Sequence, residues 1–367
     1  MNAETAYLFR HAVLRDAAYG LQLPGDRAHL HRLALDILEE VFGEEPPGSM
    51  APDLAGHCAM GAVDTDAGLR DGLGRKEVRY LNLAGEYAGD RYRNAEALTY
   101  FERVVAHPQV DDATKADALH YIATIQFHAG RLDEAEAGVR HAAELAEKLG
   151  DDRVLASSLQ AIALISRRRG AQDTGDLLQR AMQAASRTGK GAVLAVAQRN
   201  YATWLSAQGE YDRARELLRE SLSLLEKLDM PKLKGLAWGN LGMTWHRQDE
   251  LAEAESCYRK AAEYYRQAGD RLYEAKSLAN TARAAYRLGR LDEAEGLTRE
   301  ALAIQREVGD RWDVVTSLIN LAEVLHDLGR GAPAREALDE AVPLATELRR
   351  QNELDRAGEL RQRMESE

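Results

Sequence analysis

The side chains best suited to bind another molecule form a regular series of asparagines. The series recurs every 40 residues and comprises Asn200, Asn240, Asn280 and Asn320. A carboxamide offers both a hydrogen-bond donor and an acceptor, which a peptide backbone requires of its partner. A core position is disfavoured, because an unsatisfied amide in a packed interior is costly. The series predicts either a row of binding side chains, or asparagines that cap neighbouring helices or form bonds across the repeat units.

A second set of side chains is basic and lies one to two helical turns further along the same segments. It comprises Arg167, Arg168, Arg169, His246, Arg247, Arg287 and His326, to which Arg199, Lys276 and Arg283 are added. Clustered in a cleft, these groups would steer an acidic peptide or a C-terminal carboxylate into it. The alternative is a solvated basic face that pairs with acids such as Glu250 or Asp327.

Groups that could support catalysis or hold a metal lack the neighbours they need. His29 and His31 are two residues apart and point to different sides of a helix, and His57 has only Cys58 beside it. The Gly189-Lys190 pair lacks both the first glycine and the hydroxyl residue of a phosphate loop. No serine, cysteine or carboxylate pair has an acid–base context. We therefore expect no catalytic site, no metal and no cofactor.

The chain repeats itself with the same period as the asparagines. Small residues recur at Ala123, Ala163, Ala202, Gly242, Ala282 and Ala322. Seven residues later comes a turn former, at Gly130, Gly170, Gly209, Asp249, Gly289 and Gly329. Five residues after that comes another small residue, at Ala135, Gly175, Ala214, Ala254, Ala294 and Ala334. Apolar residues between these positions keep helical spacing. Each unit is predicted to be two antiparallel helices, with small residues where the helix axes cross closely.

The turn inside a unit is predicted from the sequence GRLDEAE at 130–136 and its related copy at 289–295. The glycine supplies the left-handed end of the first helix. Asp133 and Asp292 are expected to cap the second helix, with Glu136 and Glu295 at capping-box spacing.

This pattern resembles the tetratricopeptide repeat, in which a small residue, a glycine turn, an alanine, an aromatic or aliphatic residue and another alanine follow in order. Its best match is Gly242, Ala254, Tyr258 and Ala261, with Trp238 before them. The period exceeds the usual ~34 residues and is similar to the longer-helix class of kinesin light chains and bacterial peptide-sensing regulators. The resemblance implies that the asparagines face a concave groove and bind the backbone of an extended peptide.

The resemblance implies an all-α, right-handed superhelical solenoid of about seven helix pairs. The predicted units are 71–110, 111–150, 151–190, 191–230, 231–270, 271–310 and 311–350. A polar capping helix is expected over 351–367, because a solenoid must shield its last apolar face. Pro343 is expected to kink or end the last repeat helix. The predicted binding groove runs from unit 151–190 to unit 311–350.

Residues 1–70 do not follow the repeat and are predicted to form a helical cap. Its helices are expected over 9–20, from Asp26 onward, and around Leu54 to Met60. The stretch from Phe9 to Leu33 resembles the segment that joins the ATPase core to the repeat arm in signal-transducing ATPases with numerous domains (STAND) and in ATP-dependent bacterial transcriptional regulators. The resemblance implies that the chain is the sensor or interaction arm of such a protein, or a free-standing relative of that arm without the ATPase.

Composition limits the classes of partner. Sixty acidic and 48 basic side chains give a net charge of -12, which argues against nucleic acid or an anionic membrane as the main partner. Cys58 and Cys257 are far apart and have no CxxC neighbour, so neither a zinc site nor a disulfide framework is indicated. The chain shows no secretion signal and no long apolar run, and we expect it in the cytoplasm.

The sequence thus predicts a binding scaffold, not an enzyme, whose groove takes a protein or peptide of acidic character. The alternative is a small-molecule-sensing domain that controls the assembly of an attached ATPase.

Overall fold

The structure is a computed structural model, and it describes residues 19–43 and 45–366. The described residues form 17 α-helices and contain no strand, which confirms the predicted all-α repeat fold. They divide into two compact units, Met1–Leu177 and Leu178–Glu367. Within the described ranges, no helix is both long and apolar enough to cross a membrane.

The helices that begin in the first unit are α1 (Pro24–Phe42), α2 (Ala51–Gly61), α3 (Ala67–Gly89), α4 (Asn94–Ala106), α5 (Asp112–His128), α6 (Leu132–Leu149), α7 (Asp152–Arg168) and α8 (Thr174–Arg187). The last of these crosses the boundary between the units. The helix predicted over 9–20 lies outside the described residues except for its last two positions. The helices predicted from Asp26 and around Leu54 correspond to α1 and α2.

The helices that begin in the second unit are α9 (Gly191–Ala207), α10 (Tyr211–Glu226), α11 (Pro231–Arg247), α12 (Leu251–Gln267), α13 (Arg271–Arg287), α14 (Leu291–Glu307), α15 (Arg311–Asp327), α16 (Gly331–Glu347) and α17 (Gln351–Ser366). They form antiparallel pairs, and each pair packs against the next through α10 and α11, α12 and α13, and α14 and α15. We call α9, α11, α13 and α15 the leading helices and their partners the trailing helices.

Turns within the pairs depend on a left-handed residue after the leading helix. Gly209, Gly289 and Gly329 have φ values of 85°, 77° and 73°, and Asp249 takes the same conformation with a φ of 65°. The backbone N–H of the next residue then bonds back into the last helical turn, as from Arg290 to Ala285 O at 3.0 Å. This geometry confirms the predicted turn formers, since the left-handed region favours glycine.

The predicted capping role of Asp133 and Asp292 is wrong. Helices α6 and α14 begin one residue earlier, at a leucine, so their N-cap positions hold Arg131 and Arg290, which make no side-chain cap. Aspartate caps occur instead at the start of the first helix of a pair, as in α13, where Asp270 Oδ1 accepts from the N–H of Tyr273 at 3.2 Å. Asp151 and Asp310 cap α7 and α15 in the same way.

Helix α16 continues through Pro343 to Glu347, so this proline does not end the helix. It lies in the last two turns, where it removes one backbone donor, while Ala341 and Ala345 on either side of it are buried in the core. Leu360 and Met364 of α17 belong to the same core cluster as Leu318. The final helix therefore covers the apolar face at the end of the array.

Buried carboxylates join successive repeats. Glu255 on trailing helix α12 is 6% exposed and pairs with Arg290, which precedes the next trailing helix. Glu295 on α14 is 5% exposed and pairs with Arg330 at 2.7 Å in the equivalent arrangement one repeat later. Since a buried carboxylate is costly unless paired, each of these contacts ties one repeat to the following one.

Close crossing of α11 and α12 requires a residue without a side chain at position 242. A Cβ built on Gly242 would lie 2.8 Å from the ring of the buried Tyr258 and 3.1 Å from Ala254 O. The alanines equivalent to Gly242 in the flanking repeats, Ala202 and Ala282, are likewise buried. Small residues at this position therefore set the distance between the helices of a pair.

Gly242→Ala is expected to lower the free energy of unfolding by about 1–3 kcal/mol, because the added methyl group overpacks the crossing. Gly296→Ala is the matched control: its Cβ meets nothing within 4 Å in the middle of α14. That change should raise stability by roughly 0.5–1 kcal/mol through helix propensity. Urea unfolding of both variants measures the difference, and equal stabilisation by the two changes would contradict the packing argument.

Candidate functional site

The predicted asparagines lie on the leading helices of the second unit, one on each of α9, α11, α13 and α15. All four are half-buried. Leading helices pack against one another, α9 with α11 and α13 with α15, so their side chains can meet across repeats. We call the surface that carries Asn200, Asn240, Asn280 and Asn320 the leading-helix face.

Asparagines of this series differ in what they contact. Asn240 Nδ2 donates to Thr203 Oγ1 at 2.8 Å, and Asn320 Oδ1 accepts from Arg356 at 2.9 Å. These two contacts are bonds across repeats, the alternative that the sequence left open. Asn200 also has an interaction partner. Asn280 makes no side-chain hydrogen bond to any described residue, so its donor and acceptor are both available.

A cavity of about 280 Å³ opens beside Asn280, between α13 and α15. Its lining includes Lys276, Arg283, Asn320 and Gln305. Gln305, on trailing helix α14, is 1% exposed, and its Oε1 is buried without a hydrogen-bond partner. A buried amide oxygen of this kind is normally satisfied by protein, water or ligand. The cavity therefore holds two carboxamides whose hydrogen-bonding capacity the described chain does not use.

The cavity carries both signs of charge. Lys276 Nζ lies 3.5 Å from Asp313 Oδ2. Burial raises the pKa of Asp313, an effect that Lys276 opposes and nearby Asp310 strengthens. Lys276 and Asp313 therefore place opposite charges side by side in the lining of the cavity.

Arg199 is the least satisfied cation of the predicted set. Its Nε is buried without a hydrogen-bond partner, and in the part of the chain that the structure describes it forms no ion pair. Burial lowers the pKa of the Arg199 guanidinium, and the phenol groups of Tyr265 and Tyr273 oppose this shift electrostatically. The rings of these two tyrosines stack with centroids 5.2 Å apart. An arginine keeps its proton under such conditions and retains five donors.

Tyr273 lies between lysines of two leading helices. Its ring lies 5.6 Å from Lys276 Nζ and 5.9 Å from Lys232 Nζ. The residue is 38% exposed. Two cations, one from α11 and one from α13, therefore lie near one partly exposed aromatic side chain on the leading-helix face.

His246 and Arg283 form another bridge on this face, between α11 and α13. Arg283 Nη2 donates to His246 Nε2 at 3.2 Å. Burial lowers the pKa of His246, the positive charges of Arg283 and Arg287 lower it further, and Asp249 opposes them. A neutral imidazole can accept a hydrogen bond, whereas a protonated one would repel the arginine.

The remaining basic residues of the second unit are partly engaged. Arg287 pairs with Asp249 at 2.5 Å, not with the predicted Glu250 or Asp327. Arg247 donates one bond to Ser206 Oγ at 3.3 Å, and His326 has an interaction partner. Arg287 is therefore better described as part of an exposed ion pair than as a residue that attracts a ligand.

The three arginines of the predicted repeat 151–190, Arg167, Arg168 and Arg169, belong to the first compact unit, Met1–Leu177. Arg169 pairs with Glu136 at 2.6 Å and also with Asp133. Arg168 lies over the ring of Phe127, with Cζ 5.0 Å from the centroid, and Arg167 lies with it at a shallow cavity beside Leu164. The candidate site is therefore limited to Leu178–Glu367.

Two features of the structure, a histidine pair and a buried glutamine, were not predicted from the sequence. His31 Nδ1 lies 2.8 Å from His57 Nδ1, a contact between α1 and α2 that their separation of 26 residues does not signal. Throughout residues 19–43 and 45–366, no group of three or more metal-ligating side chains is present. Gln305 was also missed, because it lies on a trailing helix and outside the asparagine series.

The family model of the tetratricopeptide repeat matches residues 171–227, 234–307 and 286–347. The chain therefore carries tetratricopeptide repeats in its C-terminal half. A search of curated proteins finds no match. Solved structures show the same fold at low sequence identity.

Three of these structures illustrate the range. A STAND protein with a tetratricopeptide-repeat sensor from Pyrococcus horikoshii is 13% identical, with a TM-score of 0.63; the match covers 90% of this chain and 55% of that one. The apo quorum sensor NprR from B. thuringiensis is 15% identical, with a TM-score of 0.63 and coverages of 93% and 94%. A Rap protein in complex with competence and sporulation factor is 13% identical, with a TM-score of 0.54 and coverages of 88% and 99%.

Arg283→Met is expected to raise the pKa of His246 toward its ordinary value of about 6.5, because the change removes both a positive charge and the donor to the neutral ring. Since the folded pKa is lowered, the contribution of His246 to stability is complete above about pH 6.5 and is lost as the pH falls below it. NMR titration of the histidine ring measures the shift. Lys276→Met is the control and should leave this pKa unchanged.

Proposed function

We propose that the leading-helix face of Leu178–Glu367 binds a protein or peptide that carries acidic groups. The observation that carries the proposal is the guanidinium of Arg199, which is held in a largely buried position without a carboxylate partner. Leaving a buried charge unpaired costs several kcal/mol. A carboxylate from a ligand would supply the missing acceptor and could engage the guanidinium with two parallel hydrogen bonds.

A peptide suits the rest of this face. Asn280 can donate to a backbone carbonyl and accept from a backbone N–H, and the buried Gln305 Oε1 in the same cavity needs a donor. Tyr273 offers a partly exposed ring near Lys276, which lines this cavity. Support also comes from the shared fold of the Rap protein whose structure contains competence and sporulation factor.

The biological setting that we propose is the sensor or interaction arm of a regulatory protein. The chain spans about half the length of the STAND protein whose repeats serve as a sensor. Helix pairs from α3–α4 to α15–α16 support a division into seven repeat units, preceded by a cap and followed by α17. The role of such an arm is binding, and catalysis would reside elsewhere.

Arg199→Met is expected to weaken binding of an acidic peptide at least tenfold, since hydrogen bonds to charged groups contribute about 1.5–3 kcal/mol. The probes are peptides enriched from a random heptapeptide display library on immobilised protein, then synthesised with their Asp and Glu residues intact or replaced by Asn and Gln. Fluorescence anisotropy measures Kd for both forms.

Two control variants separate the site from general effects. Arg335→Met removes the same charge from an exposed position on α16, and Asn352→Ala removes an exposed carboxamide from α17. Both should bind like the unmodified chain, while Asn280→Ala should bind several-fold more weakly. The proposal would be contradicted if Arg199→Met bound the acidic peptides as tightly as the unmodified chain does. It would also be contradicted if the library yielded peptides without acidic residues.

A further inference from the structure

A second cavity lies in the other unit, Met1–Leu177, and has a different chemistry. It has a volume of about 460 Å³, within the range of small-molecule sites. The cavity lies where the end of α3, the start of α4 and the end of α5 meet. We call it the aromatic–acidic pocket after its lining residues Glu86, Asp90, Tyr92, Phe101, Tyr121 and His128.

Aromatic rings form one wall of the pocket. Phe101 and Tyr121 are stacked, with ring centroids 4.8 Å apart and planes 2° from parallel. Phe101 is buried against Gly85, where an added Cβ would lie 2.8 Å from the ring, so glycine at this position lets the stack form. Tyr121 is 41% exposed, which leaves ring surface open to the pocket.

Carboxylates line the α3 side of the pocket. Glu86 and Asp90 are one helical turn apart, and neither forms an ion pair with any residue in 19–43 or 45–366. The side chain of Glu86 accepts one hydrogen bond, from Asn82 Nδ2 at 2.9 Å. Burial raises the pKa of Glu86, and the negative charges of Asp117 and Asp90 raise it further. No lysine or arginine is among the described residues that line the pocket, so these carboxylates have no permanent counter-charge there.

The arginines near the pocket interact with groups other than Glu86 and Asp90. Arg91 stacks on Tyr87 with Cζ 3.6 Å from the ring centroid, and Arg93 pairs with Glu96 at 2.8 Å. Arg153 pairs with Asp117 at 2.7 Å. The C-terminal carbonyl groups of α3 add partial negative charge at the same end of the pocket.

Tyr92 stands at the turn where the other repeats have glycine or aspartate. It has a φ of 58° and is 87% exposed. The left-handed conformation is unfavourable for a tyrosine, and the exposed ring buries little surface in return. What the substitution provides is a third aromatic ring at the rim of the pocket.

From this arrangement we infer that the aromatic–acidic pocket binds an organic cation, either a small amine or the basic side chain of a peptide. A cation over the exposed ring face of Tyr121 or Tyr92 is attracted by the ring quadrupole. Glu86 and Asp90 supply its counter-charge. The site is separate from the leading-helix face, which selects the opposite charge.

The test uses the full chain and benzyltrimethylammonium, with neutral benzyl alcohol as the matched probe. Isothermal titration calorimetry should show saturable binding of the cation and at least tenfold weaker binding of the alcohol. Equal affinity for the two would overturn the inference, as would the absence of saturable binding by the cation. Agmatine and the peptide acetyl-Gly-Arg-Gly-amide then distinguish a free amine from a peptide side chain by which one binds more tightly.

Variants assign the binding to this pocket. Glu86→Gln should weaken binding of benzyltrimethylammonium about tenfold, whereas Glu102→Gln, an exposed carboxylate on α4, should not change it. Tyr92→Gly should weaken binding about fivefold while the melting temperature stays the same or rises, because glycine suits the left-handed turn. Full affinity in both Glu86→Gln and Tyr92→Gly would overturn the assignment. Asn280→Ala, in the other unit, should bind the cation normally.

Discussion

Glycine or alanine at the point where two helix axes cross allows the helices of a pair to pack closely. Gly242 against Tyr258 shows the constraint most clearly, because even a methyl group would overlap the ring. The same position holds buried alanines in the flanking repeats. With the crossing fixed and a left-handed residue ending each leading helix, the leading helices of the second unit pack side by side. The leading-helix face exists because of that arrangement.

Local features of the sequence were sufficient to predict the repeats. The small residues and turn glycines act within a few positions of one another, so their period predicted helix pairs and left-handed turns. The first residues of the helices were harder to predict, because Asp133 and Asp292 lie inside their helices and not at the N-cap position. The signal that was overlooked is the Gly-Asp pair between repeats, as at Gly269-Asp270, where the aspartate does cap the next helix.

Partners of the candidate binding residues could not be predicted, because they depend on side-chain reach between repeats. Asn240 and Asn280 occupy equivalent positions, yet Asn240 reaches the hydroxyl of Thr203 in the repeat before it, whereas the equivalent position in the repeat before Asn280 holds Met243, which has no hydroxyl. Arg199 also looks like any surface arginine in sequence. Its burial beside Tyr265 and Tyr273 depends on the packing of three consecutive repeats.

The buried glutamates that join successive repeats limit where the array can be divided. Glu255 pairs with Arg259 on its own helix and with Arg290 of the next repeat, and Glu295 pairs in the same way with Arg299 and Arg330. A fragment ending after α12 or α14 would keep the glutamate and the arginine of its own helix but would lose the arginine of the following repeat. Such a fragment would expose an apolar end and also a carboxylate that has lost one of its two arginines, which favours local unfolding of its last pair. Repeats joined in this way gain or lose order with their neighbours, and a ligand that orders one pair also stabilises the next.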